Sequence, residues 1–247
     1  MYDAILAETV SIRGHNDDDI EAYLARPMAQ GQRGGVVVIH HMPGYDAATK
    51  EIVRKFAVNG FNAICPNLYH REAPGAKPDD AAATARANGG VPDERLVGDV
   101  AGATHTLRSL TTSNGKVGVI GYCSGGRQSF LSACSLDLDA AVDCYGAGVV
   151  HGTPAGSPLT FAPIMDKAAN LSCPLLGMFG KDDKFPTPEE VEILDAELSR
   201  LGKTHEFHSY EGAGHAFFAV DRPSYRPEAA NDGWEKIFSW FDTYLGR

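Results

Sequence analysis

The segment Val117-Gly-Val-Ile-Gly-Tyr-Cys-Ser-Gly-Gly126 constrains the fold more than any other part of the chain. A β-branched run leads without a spacer into Gly121-Tyr122-Cys123-Ser124-Gly125, and a helical pattern follows at once. A strand that turns straight into a helix brings the two backbones into contact, so the residues two before and two after the pivot must be small. Glycines at 121 and 125 meet that demand and make Cys123 the pivot. The rest of the chain alternates in the same way. Residues 36–40 read as a central strand buried on both faces, and 61–65, 117–120, 140–145, 175–179 and 206–210 as further strands. Between them, 47–58, 93–110, 126–134 and 188–201 carry apolar residues at helical spacing. A terminal amphipathic helix over 225–245 sets Trp234, Ile237, Phe238, Phe241 and Leu245 on one face. Residues 10–12 and 20–24 form an expected hairpin, and 70–92 an irregular excursion rich in Ala, Gly, Pro and Asp. The expected fold is α/β, a mostly parallel doubly wound sheet with helices on both faces, in one domain over 1–247.

Composition narrows the function. Asp and Glu number 32 against 22 Lys and Arg, a net charge of −10, which disfavours binding to a phosphate backbone. The longest strongly apolar stretch, 36–39, is far too short to span a bilayer, and the N-terminal MYDAILAETV shows no basic signal-peptide start. Cysteines at 65, 123, 134, 144 and 173 form no CxxC pair. Reduced thiols in a cytoplasmic protein are expected, and no structural zinc.

The chemistry centres on Cys123. The helix N-terminus behind it favours a thiolate and a developing oxyanion. The other four cysteines read as buried thiols. Ser124 is no competing nucleophile, because Tyr122 stands where its own turn would need glycine; its backbone N–H is an oxyanion-hole donor instead. The second donor belongs to the loop after residues 36–40, where Pro43 has no N–H and Met42 does. Of nine histidines, His215 lies in a glycine-rich loop after the last strand, where the nucleophile–acid–His order of such sheets puts the base. The acid lies in Gly180-Lys-Asp-Asp-Lys184; adjacent side chains in a turn point apart, so either Asp182 or Asp183 can orient His215 while the other is solvated or caps the helix at 188. Neither a GxGxxG after a strand nor a P-loop is present, so no nucleotide cofactor is expected.

These residues resemble the dienelactone hydrolase (carboxymethylenebutenolidase) family. Gly121-Tyr-Cys-Ser-Gly-Gly126, Cys65-Pro-Asn-Leu-Tyr69 with Arg71-Glu-Ala-Pro-Gly75, Gly212-Ala-Gly-His215 and Ala22-Tyr-Leu-Ala-Arg-Pro27 carry the match, which spans about 9–245. The resemblance implies an α/β-hydrolase fold, a Cys123–Asp182–His215 triad and no cofactor. Asp182 is favoured because the family's acid precedes a proline by four residues, here Pro186. It implies an oxyanion hole at Met42 and Ser124, an acyl-enzyme, and a small-molecule ester or lactone as substrate, with no nucleic-acid or membrane partner. Two positions depart from the family. His41 stands where its best-known members carry a glutamate beside the thiol. Ala219 stands where they carry a carboxylate-binding arginine, and Arg222 is the nearest one downstream. His41, Tyr45, Tyr122, Tyr145, Phe217 and Arg222 are the expected pocket residues, with Tyr69 a further aromatic candidate. The competing readings are a non-catalytic or redox-sensing relative, and a metal-dependent hydrolase using His40 and His41. The second is disfavoured because consecutive strand residues point to opposite faces.

Overall fold

The computed structural model describes residues 4–42, 44–153 and 160–247. The chain enters as an antiparallel hairpin of β1 (Ile5–Arg13) and β2 (Asp19–Pro27). Then come β3 (Arg33–Ile39), α1 (Ala47–Val58), β4 (Asn62–Pro66), α2 (Pro78–Ala87), α3 (Asp93–Arg108) and β5 (Ser113–Tyr122). The second half runs α4 (Ser124–Ala133), β6 (Ala140–Cys144), β7 (Leu175–Gly180), α5 (Pro188–Arg200), β8 (His205–Tyr210) and α6 (Pro227–Leu245). One eight-stranded sheet results, in the order β1-β2-β4-β3-β5-β6-β7-β8. β2 meets β4 antiparallel, and every pairing from β4 to β8 is parallel.

β3 is buried at all its residues, and its alternation divides the core. Val36 and Val38 face α1 and α6 with Phe56, Ile237 and Phe241; Val37 and Ile39 face α3, α4 and α5 with Leu96, Phe130 and Leu198. Each such large side chain contributes about 2–3 kcal/mol by leaving water. Residues 70–92 differ from the expected excursion. They contain α2, whose Pro78 sits in the first turn with Asp79 and Asp80 and whose Ala81, Ala82 and Ala85 are buried. Proline and carboxylates at the start of an alanine run are helix-start signals that the loop-like composition obscured.

The elbow forms as its glycines require. α4 begins at Ser124, immediately after Cys123, whose backbone takes φ 58° and ψ −120°. A Cβ on Gly121 would lie 1.8 Å from the Gly125 carbonyl oxygen, and one on Gly125 would lie 2.6 Å from that of Ile39. The pivot is held by Cys123 N–H donating to the Cys144 carbonyl at 3.0 Å. Gly121→Ala is therefore expected to destabilise the fold by about 3 kcal/mol or more, since backbone cannot yield by that distance. Urea denaturation measures this, and a loss below about 1 kcal/mol would contradict the close approach.

Candidate active site

Three strand ends converge at the C-terminal edge of the parallel sheet. β5 delivers Cys123, the turn after β7 delivers Asp183, and the loop after β8 delivers His215. Cys65, Cys134, Cys144 and Cys173 are buried, and Cys123 is not. Burial pushes the Cys134 and Cys173 thiols up to about 12, and it pushes those of Cys65 and Cys144 well up too. Only Cys123 therefore combines access with a cationic neighbour.

That neighbour is His215, which borders the same cavity as Cys123, feels the charge of its sulfur, and is hydrogen-bonded to Asp183. Burial pushes the imidazole down, but the hydrogen bond to Asp183 and the negative charge of Asp183 and of the Cys123 sulfur hold it at about 10. His215 Nδ1 donates to Asp183 Oδ2 at 2.9 Å, and Phe185 N–H donates to the other carboxylate oxygen at 3.0 Å. Asp182 was the expected acid, and here the structure differs. Asp182 is exposed, and its main-chain N–H donates to the Ala213 carbonyl at 2.9 Å. Asp183 is 7% exposed and turns inward. The helix at 188 needs neither carboxylate, because Thr187 and Glu190 form its capping box. The physical reason is the turn itself: Asp183 N–H bonds back to the Gly180 carbonyl, so the two adjacent side chains leave in opposite directions.

Beside Cys123 lies a cavity of about 430 Å³, lined by Met42, Tyr69, Val91, Ser124, Arg127, Phe161 and Phe185 among others. Met42 and Ser124 border the same space as the sulfur. Arg127 was not anticipated. It is 4% exposed, binds Asp93 through two contacts of 2.8 and 3.0 Å, and donates to the Gly148 and Ala162 carbonyls. Its charge is neutralised, which leaves this wall of the cavity apolar in effect. Position 127 lies four residues after Cys123, one helical turn on, and that spacing is the signal that would have found it.

The expected pocket residues separate. His41, Tyr122, Tyr145 and Arg222 line a narrow cleft of about 40 Å³ that also reaches Cys123 and His215. Tyr145 stacks edge-on against the His215 ring, centroids 5.1 Å apart, and buttresses it. Tyr45 borders neither space; it is buried under α1 with the Lys50 ammonium 4.1 Å over its ring. Phe217 is fully buried, stacked on Phe218 at 4.6 Å, and is core beneath the His215 loop. Aromatic residues next to a site motif are as readily foundation as lining.

His40 and His41 serve different partners. His40 Nε2 accepts from Leu68 N–H at 3.2 Å and Nδ1 donates to the His41 carbonyl at 3.0 Å. Burial holds its ring neutral, at about 4. His41 Nε2 lies 3.3 Å from Asp46, the residue that caps α1. Burial pushes that carboxyl up, but His41 and Thr49 outweigh it and hold Asp46 at about 2. No group of three His, Cys, Asp or Glu side chains among the described residues could hold a metal ion.

The family model for the dienelactone hydrolase family matches residues 20–245. The chain belongs to the dienelactone hydrolase family. Among its relatives, a protein of Salmonella typhimurium under the provisional name carboxymethylenebutenolidase is 35% identical over 99% of this chain and 90% of its own. The carboxymethylenebutenolidase of Pseudomonas putida is 30% identical, covering 92% of both chains. The crystal structure of a provisionally named dienelactone hydrolase from Klebsiella pneumoniae superposes with a TM-score of 0.86 at 30% identity, over 98% of this chain and 100% of that one. The fold is that of the α/β-hydrolases, with the family's mostly parallel sheet. No helix among the described residues is long and apolar enough to cross a membrane.

Within a family of hydrolases, the inward carboxylate carries a direct expectation. Asp183→Asn should reduce turnover of an ester substrate by about 10⁴-fold through loss of the His215 tautomer, and Asp182→Asn should stay near wild type. Steady-state kinetics on the two variants decide between them; equal effects would remove Asp183 from the site.

Proposed function

We propose that the protein hydrolyses a small-molecule ester or lactone through a Cys123–His215–Asp183 triad and an acyl-enzyme. The observation that carries this reading is the pivot cysteine sharing one cavity of about 430 Å³ with a histidine that Asp183 orients. The names of the Pseudomonas and Salmonella relatives favour the same chemistry. The free cysteines support a reducing, cytoplasmic setting.

In this mechanism the Cys123 thiolate attacks the carbonyl carbon, forming the S–C bond, and the carbonyl π pair moves to oxygen. The N–H groups of Met42 and Ser124 donate to that oxyanion. Collapse breaks the C–O bond, and the leaving oxygen takes its proton from the His215 imidazolium; in a lactone this oxygen stays tethered to the acyl chain. His215, now neutral, accepts a proton from water, whose oxygen attacks the thioester. The second collapse expels the thiolate, and the carboxylic acid departs. Asp183 keeps Nδ1 protonated and stabilises the imidazolium throughout.

Two outcomes are expected. Cys123→Ala should lower ester turnover on the order of 10⁴-fold or more. An acid-quenched wild-type reaction should show the acyl adduct on Cys123 by mass spectrometry. Residual activity near wild type, with authentic substrate, defeats the nucleophile assignment. The pH dependence follows from the raised His215 value. A base held at about 10 stays protonated through neutrality and loses its proton only above that, so acylation should fall on the alkaline side near pH 10. A limb in kcat/KM that rises through pH 6.5, the ordinary imidazole value, would instead require neutral His215 as the resting form.

A further inference from the structure

The turn after β4 presents a side chain that the chemistry above leaves unused. Tyr69 is 5% exposed and walls the large cavity together with Met42, Cys123 and Ser124. Among the described residues its hydroxyl has no hydrogen-bond partner. The buried ring thus carries a polar tip that is free to donate to a ligand atom in the cavity.

The ring is fixed from several sides. It packs edge-on against His40 with centroids 4.7 Å apart, and His40 in turn holds both the Leu68 N–H and the His41 carbonyl. Gly44 passes so close that a Cβ there would stand 2.7 Å from the Tyr69 ring. Two residues on, Arg71 binds the fully buried Asp99 through contacts of 2.9 and 3.0 Å and anchors the turn to α3. Burial, with the nearby negative charge of Cys123, pushes the phenol up and keeps it an O–H donor.

Sheet order then assigns the direction of its hydrogen bond. His215 follows β8, on one side of the Cys123 strand, whereas Met42 follows β3 and Tyr69 follows β4, on the other. The leaving oxygen must face His215 to receive its proton, so the carbonyl oxygen faces the Met42 side. We propose that Tyr69 is a further catalytic residue, whose hydroxyl donates to the substrate carbonyl oxygen as it becomes an oxyanion, beside the backbone donors of Met42 and Ser124. This rests on the cysteine-hydrolase reading above. Acylation and deacylation both pass through a tetrahedral oxyanion, so the hydrogen bond serves whichever step limits turnover.

Tyr69→Phe removes one oxygen and keeps the ring that packs on His40. It should lower kcat for a 4-nitrophenyl ester by about 100-fold with little change in KM. Alkylation of Cys123 by iodoacetamide, which displaces iodide from a saturated carbon and builds no oxyanion, should proceed at the wild-type rate. Wild-type kcat in Tyr69→Phe overturns the assignment. So does a matching fall in ester turnover and alkylation, which would place the effect on the thiol or the fold. Cys123→Ala run in parallel separates the two levels. If it retains ester turnover, the cysteine-hydrolase reading fails and the Tyr69 role with it; if it loses turnover while Tyr69→Phe does not, the Tyr69 role alone fails.

Discussion

The site depends on a backbone contact before it depends on any side chain. Gly125 lies against the carbonyls of Ile39 and His40 at the end of β3, and Gly121 lies against the Gly125 carbonyl. This contact sets the N-terminus of α4 over the sheet edge and forces Cys123 to φ 58°, a conformation that L-residues avoid. The strain is held by the fully buried strands on either side of β5, β3 and β6, whose own hydrogen bonds would have to break to relieve it. The thiol is thus presented at a helix start, where the amide dipoles favour negative charge. Everything else arrives at a point already set.

The remaining groups reach that point by short loops from other strands. The Asp182 N–H to Ala213 carbonyl bond and the Lys181 N–H to Tyr210 carbonyl bond join the acid turn to the histidine loop. Tyr145, with φ 44°, leaves β6 so that its ring supports the imidazole from behind. On the other flank, neutral His40 ties the loop before Met42 to the turn of Leu68 and Tyr69. The large cavity between these flanks holds a buried guanidinium whose charge Asp93 already balances. An acyl group entering it meets apolar walls and few unpaired polar atoms.

Much of this was legible in the sequence because the decisive features are local. The strand–turn–helix around Cys123 follows from glycine spacing, and His215 from its place after the last strand. The choice between Asp182 and Asp183 was not local: it turns on which side of a turn faces a loop more than thirty residues away, and motif spacing pointed to the exposed one. Tyr45 and Phe217 neighbour the site in sequence yet lie beneath it, since an aromatic ring serves core and pocket equally well. Arg127 carries no motif of its own, and its partner, Asp93, sits on a different helix. The short helix α2 was hidden by a composition shared with loops.

The assembly from separate strand ends has a consequence for how the activity comes into being. Cys123 is reached about halfway along the chain, but the imidazole that completes it belongs to the loop after the outermost strand, β8, and α6 then closes over the sheet face behind. A chain emerging from the ribosome therefore carries its thiol for the length of more than ninety residues before a proton acceptor can meet it. On the proposed triad, a partly folded intermediate with β8 undocked would hold helices, much of the core and a cavity, and still be catalytically silent. Hydrolysis in this protein is the signature of a finished sheet.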